Sequence, residues 1–308
     1  MALAYGFVDH GGPETQDLLE VDVPAPGPGQ LLVAVHAAGV NPADWKVRAG
    51  LRRNTVPVSF PAVFGREVSG VVTAVGEDVS GFAVGDVVFG ATAAGFGGYT
   101  EYTLLDATGT AHKPAEVSFE VAATIPVAAG TAFDIVEHLG IVDADTVLVL
   151  GAGGGVGSAV TQLAHATGAA VLGVASAGKR DLVGADGGTW IESGDGFESR
   201  VAEAAERCGA VTAIVDLVGG EVLDRTAGLS RDPGRLVSIA DPARATALGG
   251  SGITRRRSRE VFERVAGLVV RGLLVPHIER TWPLREAGEA LAIVEAGHAR
   301  GKVVLTIR

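Results

Sequence analysis

The residues best placed to do chemistry together form one run. Gly151-Ala152-Gly153-Gly154-Gly155-Val156-Gly157 follows the apolar segment Thr146–Leu150 and leads into the helical segment Ser158–Thr167. Glycines at such a junction permit a tight turn and let backbone N–H groups at a helix start approach a pyrophosphate. The pattern is Ala-x-Gly-x-x-Gly over Ala152, Gly154 and Gly157, with alanine where the strict fingerprint has its first glycine. A lone glycine run also suits an ordinary turn. A strand before it, a helix after it and a second strand at Ala169–Ala175 favour a dinucleotide loop. An NAD site would offer a carboxylate at the end of that second strand, about 20 residues on, for the ribose 2′-hydroxyl. Ser176 stands there instead, 19 residues after Gly157, with Lys179 and Arg180 close behind. The spacing favours NADPH, the two cations meeting its 2′-phosphate; the plainer alternative is two solvated cations at a helix start.

These residues need a scaffold, and the chain offers two. From Gln30 to about Val117, short apolar runs (LLVAVHAAGV, VSGVVTAVG, DVVFG, YTEYTLL) separated by Gly, Pro and Asp predict a small β-barrel. Beyond Phe119 helical periodicity takes over. The strands TVLVL, AAVLGVAS, VTAIVDLVG and GRLVSIA then alternate with Ala-rich amphipathic segments, which predicts a doubly wound parallel sheet. The tail PHIERTWPL, a helix over Arg285–Gly297 and GKVVLTIR return to β character. The expected α/β division is a β-barrel domain over residues 1–118, completed by 275–308, and a Rossmann domain over 119–274.

Composition narrows the partners. With 308 residues, 47% of them hydrophobic, and 45 glycines, the chain suits two compact domains rather than disorder. A net charge of −11 repels nucleic acid and anionic membrane surfaces. The single cysteine, Cys208, can form neither an internal disulfide nor a Cys-rich metal site. Met1–Pro13 has no basic flank followed by an apolar stretch, so a cytoplasmic protein is expected.

Collinear motifs go further. GVNPADWKVRAG (Gly39–Gly50), FPAVFGREVSGVVTAVGEDVSGFAVGDVVFG (Phe60–Gly90), GGYTEYTLL, AATIPVAAGTAF, the glycine loop with SAVTQLA, DLVGG and RGKVVLTIR occur in order over nearly the whole chain. Together they resemble the zinc-independent quinone oxidoreductase branch of the medium-chain dehydrogenase/reductase superfamily. The resemblance implies a GroES-like catalytic barrel beside the Rossmann domain, and hydride transfer from NADPH to a quinone or α,β-unsaturated carbonyl. Zinc-dependent members carry Cys where this chain has Asn41 and His where it has Arg66, so no metal site is expected. Asn41, Asp44 and Lys46 match the family's cleft motif. Lys46 could stabilise an anionic oxygen, while Asp44 could hold Lys46 or simply cap the helical turn after Pro42. The resemblance places Thr131, Val218, the turn Ser238, Ile239 and Ala240, and Lys302 around the nicotinamide half. Two other functions fit the same resemblance: an enoyl reductase acting on a polyketide or acyl thioester, and a crystallin-like protein that holds NADPH without turnover. A homodimer is expected, although ARATALGGSGITRRRSRE stands where the family has an apolar strand that pairs across its interface. Arg255–Arg257 reads as a solvated helix start or, alternatively, as a contact for a substrate phosphate or coenzyme A.

Overall fold

A computed structural model describes residues 1–94 and 97–308. In chain order its first elements are β1 (Ala2–Phe7), β2 (Gln16–Val21), β3 (Gln30–Val40), α1 (Pro42–Arg48), β4 (Ala62–Val63), β5 (Glu67–Val75), β6 (Val87–Thr92), β7 (Tyr102–His112) and α2 (Phe119–Ala122). Next come α3 (Gly130–Leu139), β8 (Thr146–Leu150), α4 (Gly155–Ala166), β9 (Ala170–Ala175), α5 (Arg180–Ala185), β10 (Thr189–Glu192) and α6 (Phe197–Cys208). Then follow β11 (Ala213–Asp216), α7 (Gly220–Thr226), β12 (Leu236–Ser238) and α8 (Pro242–Ala247). The chain ends with α9 (Arg259–Val270), β13 (Ile278–Pro283), α10 (Ala287–Glu295) and β14 (Lys302–Thr306).

The chain divides into two compact units. The first holds Met1–Val127, Arg257–Val270 and Ile278–Arg308. Its main sheet runs β13-β14-β3-β5-β6-β7, and an additional pairing of β3 with β7 closes it into a barrel. Closure asks one strand to serve several neighbours around a bend. The long strand β3 does so, with register shifts between Leu32 and Val33 and between Val35 and Ala37 that add curvature. Its alternating apolar residues put Leu31, Val33 and Val35 into a core with Phe7, Phe64 and Val68. Three segments cross the expected boundaries, one of them, residues 275–277, into the second unit. Residues 119–127 belong to the first unit, as does α9, because its apolar stripe Val261, Phe262, Val265 and Ala266 is buried and Phe262 lies 6.1 Å from Phe89.

The second unit holds Ala128–Arg256 and Arg271–His277. Its five strands are all parallel in the order β10-β9-β8-β11-β12. Every residue of β8 is buried, which explains the unbroken apolar run TVLVL after its first threonine. The order reverses at β8, and the loops beyond the carboxyl ends of β8 and β11 are where such sheets take ligands. At the far edge, Ser251 accepts from the Ser238 N–H at 3.0 Å and donates to the Leu236 carbonyl at 2.9 Å, so the chain itself covers β12. The segment expected to hold an interface strand is instead the short helix α8 followed by this returning turn.

Candidate active site

In the first unit the motif residues converge on a buried polar knot. Asn41 precedes α1, where its own N–H is one of the donors a helix start leaves without an intrahelical partner. The Asp44 carboxylate reaches back to it, Oδ2 accepting from the Asn41 N–H at 2.9 Å and from the Tyr99 hydroxyl at 2.8 Å. The Lys302 ammonium, from the start of β14, donates to the Val40 carbonyl at 3.0 Å, Asn41 Oδ1 at 2.8 Å and Glu67 Oε1 at 2.7 Å. Asn41 Nδ2 donates to the same Glu67 oxygen at 2.9 Å, and the other, Oε2, accepts from the Val127 N–H at 2.7 Å. Burial pushes the Asp44 carboxyl up to about 6, opposed by its two hydrogen bonds and by the charges of Arg66 and Lys302. Tyr99, also buried and facing that carboxylate, is held well above the ordinary phenol range.

This geometry redistributes the expected roles. Asp44 caps α1 and does not hold Lys46; it and Asn41 are buried, and they position the helix. Lys302, expected at the nicotinamide half, instead commits its three N–H donors inside the knot. Lys46 stands apart, half-buried, with its ammonium 5.7 Å from the centre of the Trp45 ring. Burial first and the neighbouring charge of Arg52 second lower its pKa. Glu67 and Tyr99 were not among the residues the sequence singled out. The one available signal was an acid, Glu67, opening a strand that is otherwise apolar.

In the second unit the glycine loop caps α4. Gly154 is the N-cap residue, and its carbonyl accepts from the Ser158 N–H at 2.8 Å. Gly157 faces the loop so closely that a Cβ there would lie 2.2 Å from the Gly151 carbonyl oxygen and 2.7 Å from Ala152 Cα. Only glycine fits, because both obstacles are backbone. Ser176 is exposed at the end of β9. The stem of Lys179 lies over Gly153, where an added Cβ would meet Lys179 Cδ at 2.4 Å. Arg180 stacks on Trp190, 5.4 Å from guanidinium carbon to ring centre.

The remaining candidates cluster around an unforeseen organiser, Asp216, at the end of β11. Its Oδ1 accepts from the Val218 N–H at 3.0 Å and the Gly219 N–H at 2.9 Å, and its Oδ2 accepts from the Ser238 hydroxyl at 2.6 Å. One fully buried carboxylate thus fixes the loops after β11 and β12. Val218 is left exposed and Ile239 and Ala240 half-buried, while the Ser238 side chain is committed inside. Thr131 is buried on the first turn of α3. Of the arginine triplet, Arg256 is anchored on α3, with Nε donating to Asp134 Oδ1 at 2.7 Å and its backbone N–H to Oδ2 at 2.8 Å. Paired with Asp134 and Glu137, this side chain is committed away from a phosphate, yet it stays exposed, in keeping with the solvated reading. Among the described residues no cluster of three or more His, Cys, Asp or Glu is arranged to hold a metal.

Residues 27–115 match the profile of the alcohol dehydrogenase GroES-like domain, and residues 195–305 that of zinc-binding dehydrogenases. The quinone oxidoreductase of Sus scrofa is 31% identical over 321 residues, covering 96% of this chain and 95% of that protein. The chain belongs to the quinone oxidoreductase-like branch of the medium-chain dehydrogenase/reductase superfamily. A solved relative in that branch, the Escherichia coli quinone oxidoreductase complexed with NADPH, superposes with a TM-score of 0.87 at 25% identity, covering 99% of this chain and all of the other. A spectinabilin polyketide synthase system protein of Streptomyces orinoci is 36% identical over 320 residues, covering 96% of this chain, yet the chain spans only 14% of that protein.

Proposed function

We propose that this protein is an oxidoreductase that uses NADPH to reduce a quinone or an α,β-unsaturated carbonyl without zinc. The observation that carries the reading is the position of the Lys302 ammonium. It sits among Asn41 Oδ1, Glu67 Oε1 and the Val40 carbonyl, so the oxygen-rich centre beside the would-be ligand position Asn41 is filled by a side-chain cation. Zinc needs thiolate, imidazole or carboxylate donors around an open centre. These residues do not offer it, and no step is assigned to a metal.

The residues do fit a dinucleotide. The first-turn N–H groups of α4 and the close-packed Gly157 would hold the pyrophosphate, Ser176, Lys179 and Arg180 the adenosine ribose, and the loops pinned by Asp216 the nicotinamide half. When bound, NADPH supplies the hydride. The chain's own contribution is field and position. Lys46, with its pKa lowered by burial, is assigned to the oxygen that becomes negative as hydride arrives, and it gives up a proton more readily than a solvated lysine. Asn41, Asp44, Glu67 and Lys302 hold α1, and therefore Lys46, in place.

The similarity to a polyketide synthase system protein favours one second reading, an enoyl reductase acting on an acyl thioester, which uses the same hydride chemistry. A panel of quinones, enones and enoyl thioesters, followed by NADPH absorbance, tests both. Turnover of quinones or simple enones supports the first reading, and turnover confined to thioesters supports the second. NADPH binding without oxidation across the panel would instead mark a crystallin-like role. The reading includes a cytoplasmic location and a homodimer whose interface avoids the covered β12 edge. Light scattering that returns the monomer mass at every concentration would rule out the dimer.

A further inference from the structure

We infer that Trp190 is a specificity-determining residue for the dinucleotide, holding the Arg180 guanidinium ready at the carboxyl end of β9 to receive a ribose 2′-phosphate. The inference rests on the NADPH reading above and adds a residue that the glycine pattern and the cation spacing do not reveal. Trp190 lies on β10 opposite Gly173 of β9, a pairing that places no side chain beside the indole. Its Nε1–H donates to the Ala175 carbonyl at 3.2 Å, and the same oxygen accepts from the Ser193 N–H at 3.0 Å. The ring is therefore fixed at the last residue of β9, one residue before exposed Ser176. Arg180 is itself exposed, yet its guanidinium rests on that ring, 5.4 Å from the centre.

The two neighbouring cations diverge. Lys179 leans across Gly153 of the glycine loop, whereas Arg180 leans on the indole. An arginine at an exposed helix start would ordinarily lose rotamer freedom when it takes hold of an anion. Stacking removes part of that loss beforehand and leaves the planar edge, with its paired N–H donors, turned to a phosphate. Trp190 acts through Arg180 and need not touch the cofactor.

Calorimetric titration with adenosine 2′,5′-bisphosphate and with adenosine 5′-monophosphate (AMP), which differ only by the 2′-phosphate, separates this role from a merely structural one. Wild type is expected to bind the 2′-phosphorylated probe about tenfold more tightly or better. Trp190→Ala should narrow that ratio by about three- to fivefold, with AMP affinity within about twofold of wild type. Trp190→Phe, which keeps an aromatic face, should retain most of the ratio. Arg180→Ala should narrow it at least as far, and adding Trp190→Ala should bring no further loss. An unchanged ratio in Trp190→Ala, or an equal loss for both probes, would overturn the inference while leaving the NADPH reading intact. A wild type that binds both probes equally would overturn the NADPH reading itself, and this inference with it.

Discussion

The two units treat polar groups in opposite ways. Around Asn41, Asp44, Glu67, Tyr99 and Lys302 the charges are buried and committed to one another, with a single exception: Asp44 Oδ1 has no hydrogen-bond partner. Around the glycine loop, Ser176 and Arg180 are exposed, and the first N–H groups of α4 are without intrahelical partners. A knot whose polar atoms are almost all paired has little left with which to bind, so it sets geometry. An unsaturated cradle contributes little to folding and is available to a ligand. Substitutions in the knot should therefore register first as lost stability, and substitutions in the cradle as lost affinity.

The largest expected effect tests the knot. Lys302→Met strands the Glu67 carboxylate in the core and should lower unfolding free energy by about 3–5 kcal/mol, read by denaturant titration. The double variant Glu67→Gln with Lys302→Met should recover part of that loss, because no buried charge then remains unpaired. A Lys302→Met protein as stable as wild type would mean that the knot is not closed as described.

A buried acid with no ion partner sharpens the comparison from the other side. Asp186, behind α4, is pushed up to about 6 by burial, against hydrogen bonds from Ser158 and Gln162, and its Oδ2 has no partner. Its folded-state pKa lies above the unfolded value of 3.8. The folded protein thus binds the proton more tightly, and the acid's stabilising contribution is lost as pH rises from about 4 through about 6. Asp186→Asn cannot titrate. Its stability relative to wild type should therefore improve by roughly 2–3 kcal/mol between pH 4 and pH 7.5. Parallel pH profiles for the two proteins would show that the carboxyl is not perturbed.

How much of this was legible in the sequence follows the separation of the partners. The glycine loop, Ser176, Lys179 and Arg180 lie within one strand-loop-helix-strand stretch, where spacing alone sets geometry. The knot joins Asn41 to Glu67, 26 residues away, and to Lys302, 261 residues away. No local period brings an acid at the head of β5 beside a lysine at the head of β14; only closure of the barrel does. That is why Lys302 could be read as a nicotinamide contact and Asp44 as a partner for Lys46. Asp216 escaped for the same reason, since its role is to join loops after two different strands. The β12 edge escaped as well, because the residues that cover it lie beyond a helix too short to announce itself.

Gly157→Ala carries a smaller effect that spans both halves of the comparison. Its methyl would press on backbone atoms, costing about 1–3 kcal/mol of stability. By shifting the first turn of α4 it should also weaken dinucleotide binding by about tenfold. Both are readable in one experiment, thermal unfolding with and without NADPH. Unchanged melting and an unchanged NADPH-induced shift would remove the glycine loop from the site.

The smallest effect in energy bears most directly on the central claim. One charge-assisted contact to a 2′-phosphate contributes roughly 1.5–3 kcal/mol, or about 10- to 150-fold in affinity. Steady-state kinetics with NADPH and NADH, on chelator-treated wild type and Arg180→Ala, would measure it. The account predicts a kcat/KM at least about tenfold higher for NADPH, untouched by the chelator, with Arg180→Ala erasing most of the preference and leaving NADH use nearly unchanged. Equal use of the two cofactors by wild type, or activity that disappears on chelation and returns with zinc, would contradict it.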